Sequence, residues 1–178
     1  MANTTTPQKP INIAVLTVSD TRTVETDKSG AKLIERLQEA GHSLAQHAIV
    51  KDDIYQVRAA VSQWIADSNV HAVLVTGGTG FTARDTTPDA LLPLFDQVIE
   101  GFGELFRTLS YAEIGTSTIQ SRTVAGVANR TVIFSMPGST GACRTAWDGI
   151  IKQQLDSSHR PCNFVEMVTF NSSAHHPS

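Results

Sequence analysis

The stretch VLVTGGTGFTARDTTPDALL, Val73 to Leu92, passes from an apolar run through a glycine turn into a polar segment that ends at a helix start. Ala72 to Thr76 is short and apolar on nearly every side chain, the pattern of a strand buried on both faces of a parallel sheet. Thr87 is expected to cap the following helix, with Pro88 at its first position, where a missing N–H costs nothing. Strand, glycine turn and helix start in that order mark an α/β unit.

Upstream the alternation recurs. Ile11 to Val18 is β-branched and apolar, and Ala31 to Ala40 places Leu33, Ile34 and Leu37 on one helical face before Gly41 at the C-cap. Leu44 to Val50 reads as a weaker strand, after which Asp52 or Asp53 caps a helix carrying Ile54, Val57, Val61, Trp64 and Ile65 at helical spacing. Downstream it breaks. Gln97 to Phe102 reads as a strand end leading into a helix around Glu104 to Leu109, and VAGVANRTVIFSM, 124–136, as two strands joined at Asn129-Arg130. Cys143, Ala146, Trp147, Ile150 and Ile151 then share one face of a long helix. The expected fold is α/β, a three-layer α/β/α domain over 11–165 with a mostly parallel sheet and at least one antiparallel strand pair. Residues 1–10 and 166–178 are expected as flexible tails.

Composition narrows the function classes. The 178 residues suffice for one domain, and 14 Lys and Arg against 17 Asp and Glu give a net charge of −3 with no long run of either sign, which argues against a nucleic-acid partner. No apolar segment reaches the length of a membrane span, so a cytoplasmic protein is expected. Cys143 and Cys162 lack the partners of a zinc site and read as reduced thiols, Cys143 as a buried and inert one. The six histidines form no ligand pattern and are expected at the surface.

Two loops sit between a buried strand and a helix: Thr76, Gly77, Gly78, Thr79 and Gly80 in one, Pro137, Gly138, Ser139 and Thr140 in the other. In an open α/β sheet, ligands collect at strand carboxyl ends, where glycines let backbone N–H groups approach an anion. Each loop on its own could be only a tight turn. GxxxxGK[ST] and GxSxG are absent, which excludes a P-loop nucleotidase and a hydrolase elbow. Gly78, Gly80 and Ala83, with Glu100 beyond, imitate an NAD-type fingerprint, but Arg84, Asp85 and Thr86 delay the helix that should open on the glycines. Asp52, Asp53 and Asp85 at strand carboxyl ends could hold Mg²⁺ or cap helices; Arg84 could pair with phosphate or stay solvated; Ser19 and Asp20 add a polar corner.

TVSD (17–20), TGGTGFTARDTTPDA (76–90), EGFGELFR (100–107), GTSTIQSR (115–122) and MPGSTGACRTAW (136–147) together resemble the MoaB/Mog family of molybdenum cofactor biosynthesis, the later segments its MoaB branch. The resemblance covers about 11–165. It implies molybdopterin binding and, in competent members, transfer of AMP from Mg-ATP to the pterin's terminal phosphate with release of pyrophosphate. It further implies a substrate pocket of Thr76 to Gly80, Ser19, Asp20, Arg84, Ser121 and Pro137 to Ser139. Asp52 and Asp85 would be the catalytic pair that holds Mg²⁺, and the chains would assemble as trimers or hexamers, with other molybdenum cofactor biosynthesis proteins as further partners. In EGFGELFR, Phe102, Leu105 and Phe106 are expected to exceed what one chain buries, in keeping with such an assembly. The alternative from another class is a non-catalytic molybdopterin carrier, and the NAD-type oxidoreductase is a third reading.

Overall fold

The computed structural model describes residues 7–170; the outer parts of both expected tails, with His175 and His176, lie outside the described residues. Six strands form one sheet in the order β2-β1-β3-β6-β5-β4. They are β1 (Asn12–Val18), β2 (Ser43–Val50), β3 (Ala72–Thr76), β4 (Gln97–Val98), β5 (Val124–Ala128) and β6 (Thr131–Met136). β2, β1, β3 and β6 run parallel, and β5 pairs antiparallel with both β6 and β4. The antiparallel pair turns at Asn129 and Arg130, both at positive φ.

The apolar strands sort by alternation. Ile13 and Val15 of β1, Leu74 of β3 and Val132 and Phe134 of β6 face one side, where α1 (Lys28–Glu39), α4 (Glu100–Ile114) and α5 (Thr140–Ala146) cover them. Ala14, Leu16, Val73, Val75 and Ile133 face the other, under α2 (Ile54–Ala66) and α3 (Thr87–Leu91). Both faces being dry explains why the parallel strands read as continuous apolar runs. This is the expected three-layer architecture with its antiparallel edge.

Several local expectations shift. The first helix starts at Lys28 because Asp27 accepts from the Gly30 N–H as its N-cap. Asp53, not Asp52, caps α2, accepting from Tyr55 and Gln56 N–H. Thr86 occupies the N-cap position of α3, so Thr87 falls inside the helix and is fully buried. β4 has only two residues, and α4 is longer than its apolar core suggests. Past α5 the helix widens into a π-helical segment, Trp147–Ile151, before α6 (Lys152–Gln154) and α7 (Val165–Thr169). Phe102 and Phe106 pack into the chain's own core at 3% and 1% exposure, against Phe134, and only Leu105 of that trio stays half-exposed. Among the described residues no helix is long and apolar enough to cross a membrane.

The histidines also depart from expectation. His42 is buried, its Nδ1 accepting the Ile11 N–H and its ring standing edge-on to Trp147 at 6.4 Å; His47, His71 and His159 are half-buried. Burial pushes the His42 and His71 imidazoles below their ordinary value of 6.5. The unfolded chain therefore takes up these protons first as pH falls, and stability should decline as pH drops through about 6.5 until the folded-state values are passed. Thermal melts between about pH 7.5 and 5 should show that decline, with a shallower slope in His42→Gln. Equal slopes would show that His42 does not contribute.

Candidate functional site

The chain leaves β1 toward β2 on one side and returns to β3 on the other, while α1 and α2 cover opposite faces. That reversal opens a crevice beyond the carboxyl ends of β1 and β3, with β6 beside them. A cleft of about 380 Å³ lies there. Of the residues expected from sequence, it gathers Ser19, Gly77, Gly78, Thr79, Gly80, Asp85, Ser121, Pro137 and Gly138. A larger groove of about 680 Å³ between α1, α4 and α5 shares none of these residues and holds both charge signs, with Arg36, Arg144, Glu113 and Asp148.

Three strand ends meet too closely for side chains. Gly77 has φ +105°, its N–H donates to Met136 O at 3.0 Å, and a Cβ there would stand 2.2 Å from the Val18 carbonyl oxygen. Gly138 approaches so near that its own Cβ would lie 3.3 Å from Gly77 Cα. Thr76, fully buried, donates its hydroxyl to Pro137 O at 3.0 Å and ties the two loops together. The N–H groups of Gly78 and Thr79 make no hydrogen bond among the described residues, so two backbone donors remain beside the cleft. Ser19 Oγ accepts from the Thr21 and Arg22 N–H groups, which leaves its own hydroxyl hydrogen free to donate.

The acidic residues take distinct places. Asp85 lines the cleft, its Oδ2 accepting from Thr82 N at 2.9 Å and Thr82 Oγ1 at 2.6 Å. Burial raises the Asp85 pKa, but the bonds from Thr82 and Gly80 and the charge of Arg122 outweigh it, so the carboxyl stays below its usual range and ionised. Asp52 stands behind the turn. Its Oδ1 accepts from Thr86 N and Oγ1 at 3.1 and 3.0 Å, while Oδ2 lies 2.8 Å from where a Gly78 Cβ would be. The Thr87 hydroxyl, buried without a partner, borders that same point. Asp20 and Arg84 bind each other bidentately at 2.7 and 2.9 Å, so Arg84 spends its fork on a carboxylate and neither residue lines the cleft. Ser139 caps α5 by accepting from Ala142 N.

Among the described residues no three acidic, His or Cys side chains gather as a metal-binding group. Mg²⁺ takes one or two carboxylates and completes its shell with water and substrate phosphate; Asp85 at the cleft wall suits that donor set, while Asp52 stands behind the turn with one oxygen given to Thr86. The glycine positions fit as well, since a Cβ at Gly78 or Gly80 would collide with Asp52 or Asp85 respectively.

Sequence reading passed over Thr21, Gln120 and two arginines. Arg122 fastens the glycine turn, with Nε to Gly80 O at 2.8 Å, Nη2 to Asp85 O at 2.5 Å and Nη1 to Asp89 Oδ2 at 3.1 Å. Arg22 lines the cleft. Both residues sit inside the family-like segments or beside them, but a lone arginine in a loop carries no spacing that marks its role. Cys143 is 1% exposed, and burial pushes its thiol up to about 11, as expected of an inert core cysteine; Cys162 is exposed.

Residues 14–157 match the family model described as "Probable molybdopterin binding domain". The chain is 60% identical over 164 residues to molybdenum cofactor biosynthesis protein B of Escherichia coli (strain K12), covering 92% of this chain and 96% of that one. A crystal structure of molybdenum cofactor biosynthesis protein B superposes with a TM-score of 0.80 at 49% identity, covering 83% and 92%. The tungsten cofactor synthesizing protein MoaB from Pyrococcus furiosus gives 0.72 at 38% identity, covering 80% and 91%.

The crowding at Gly77 sets a stability test. Gly77→Ala forces a side chain into a φ that only glycine adopts freely and against a backbone oxygen, and should cost at least about 2 kcal/mol in chemical denaturation. Gly101→Ala, on α4 with open space around it, should be neutral or slightly stabilising. A near-native Gly77→Ala would show that the strand ends can part without loss.

Proposed function

The chain belongs to the MoaB/Mog family of molybdenum cofactor biosynthesis, and from that premise we propose that its cleft binds molybdopterin and transfers AMP from Mg-ATP to the pterin's terminal phosphate. The observation that carries this is the pair of unpartnered backbone donors, Gly78 and Thr79, in a cleft where Asp85 stands ionised on the wall. N–H groups suit the pterin's phosphate and a carboxylate suits a cation, so both halves of a phosphoryl-group reaction have a place.

In the reaction a terminal phosphate oxygen of molybdopterin attacks the α-phosphorus of ATP. The new P–O bond forms as the bond to the β-phosphate oxygen breaks and pyrophosphate leaves. The attacking oxygen is already an anion, so no protein base or covalent nucleophile is needed. Thr76 to Gly80 and Gly138 cradle the phosphate-bearing end of the pterin, Ser19 donates its hydroxyl, and Ser121 lines the wall. Asp85 on the wall, with Asp52 behind the turn, would hold Mg²⁺, which when bound would supply positive charge to offset that of the triphosphate and of the leaving pyrophosphate. Ser139 keeps the second loop in place as the cap of α5. Asp20 and Arg84 act together as a salt-bridged rim rather than as separate ligands.

A carrier that binds the pterin without turnover would need the cradle but not the carboxylates. Asp85→Asn separates the two, since it keeps the shape and removes the charge. We expect it to fold and bind molybdopterin normally while pyrophosphate release at saturating Mg-ATP drops on the order of a hundredfold. Near-normal turnover in Asp85→Asn would overturn the metal role. A parent protein that binds pterin and releases no pyrophosphate would make it a carrier, and binding of NAD(H) in its place would favour the oxidoreductase.

We also propose an assembly of three or six chains. Leu105, Tyr111 and Ile114 of α4 and Ile119 just beyond it are 45%, 58%, 53% and 69% exposed, large apolar side chains that one chain leaves uncovered. Light scattering at micromolar concentration should report three or six chains, and a monomer would refute this.

A further inference from the structure

Of the arginines around the cleft, only Arg22 lines it among the described residues. Arg84 gives its fork to Asp20, and Arg122 gives all three of its nitrogens to Gly80, Asp85 and Asp89. Arg22 is the single cation lining the cleft among the described residues, and Asp85 the single acid. A phosphate entering beside the Asp85 carboxylate is favoured by a cation in the same lining.

Arg22 is held for that task. Its backbone N–H donates to Ser19 Oγ at 3.1 Å, its Nη1 donates to Ser29 Oγ, and its Nη2 donates to Gly138 O at 2.7 Å. Behind it lies Asp27 at 3.7 Å, with a side chain only 1% exposed. Asp27 is itself fixed by Thr17 Oγ1 at 2.5 Å and Gly30 N at 2.9 Å. The guanidinium thus bridges the loop after β1 to the loop after β6, while its Nε–H meets no hydrogen-bond partner among the described residues. Its side chain keeps 31% exposure, so that edge is open to a ligand.

We propose that Arg22 is a binding residue that grips the phosphate of the ligand in this cleft, with buried Asp27 as its anchor. The proposal rests on the reading of the cleft as a site for a phosphate-bearing pterin. The guanidinium supplies charge-assisted donors from one side of the phosphate, and the Gly78 and Thr79 N–H groups supply neutral donors from the other. Because the same guanidinium holds Gly138 O, it also sets the spacing of the two loops around the anion.

A purely structural Arg22 and a phosphate-gripping one differ in their response to the phosphate. Dissociation constants are measured for the parent and Arg22→Gln with molybdopterin and with the same pterin after phosphatase has removed its terminal phosphate. Arg22→Gln should lose about tenfold to a hundredfold for the phosphorylated ligand and less than about threefold for the other. Equal losses on both would overturn the proposal and leave Arg22 only a brace for Gly138. Inorganic pyrophosphate is titrated in parallel. If the parent binds pyrophosphate but neither pterin, and Arg22→Gln loses pyrophosphate, Arg22 stands and the pterin reading falls. If both proteins bind pyrophosphate and phosphorylated pterin equally, or the parent binds none of the three ligands, the proposal falls. Should Arg22→Gln fail to fold, Arg22→Lys keeps a charge opposite Asp27 and loses the fork. Its loss should be smaller and confined to the phosphorylated ligands, and an unselective loss would again refute the proposal.

Discussion

Three strand ends meet at Gly77, and the cleft exists because nothing larger than a hydrogen atom stands between them. The Val18 carbonyl, the Met136 carbonyl and the Gly138 backbone all crowd this one residue. Parallel strands bring their carboxyl ends level, and the reversal of strand order between β1 and β3 then leaves a crevice instead of a covered edge. A side chain at Gly77 would push β1 away from β3 and widen the gap. Glycine here is a packing requirement before it is a binding one.

Charge around the cleft is organised in pairs. Asp20 and Arg84 cancel at the rim, Asp89 and Arg122 brace the turn, and Asp27 sits behind Arg22. The Asp20–Arg84 and Asp89–Arg122 pairs are exposed and add little stability, so their value lies in where they leave the remaining groups. Burial raises the Asp27 pKa, yet hydrogen bonds from Thr17, Gly30, His47 and Ser29 more than offset that and keep the carboxyl ionised. The carboxylate therefore serves two structures at once, capping α1 and holding a cation at the cleft. The cap of α1 and the hold on Arg22 share one side chain.

The layers behind the cleft are closely packed. Strands β1, β3 and β6 are buried on both faces, and Phe134 packs edge-on against Phe102 and Phe164 beneath the carboxyl ends. Close-packed interiors transmit small displacements, so a shift in α4 or α5 is felt at the strand ends. The loops owe their order to this platform and to the side-chain bonds of Thr76, Arg22 and Arg122 across them.

Much of this was legible in the residues. Apolar runs of strand length, helical spacing in Val57, Val61 and Trp64, and glycine turns after strands specify a three-layer α/β domain, because burial on both faces leaves a one-dimensional trace. The TGGTG and PGST loops marked the cleft for the same reason, since glycine needs are set by backbone geometry close in sequence. Other features were not local. Whether Asp52 or Asp53 capped α2, whether Phe102 and Phe106 reached the core, and that His42 was enclosed all depended on segments distant in the chain. Arg84 looked like a phosphate ligand until the fold set Asp20 against it, and Arg22 looked like nothing until α1 and the loop after β6 closed around it. Sequence by itself determined which elements form and where backbone must come close. Only the tertiary structure decided which charges face one another, because a side chain's electrostatic partner is chosen by distance in space.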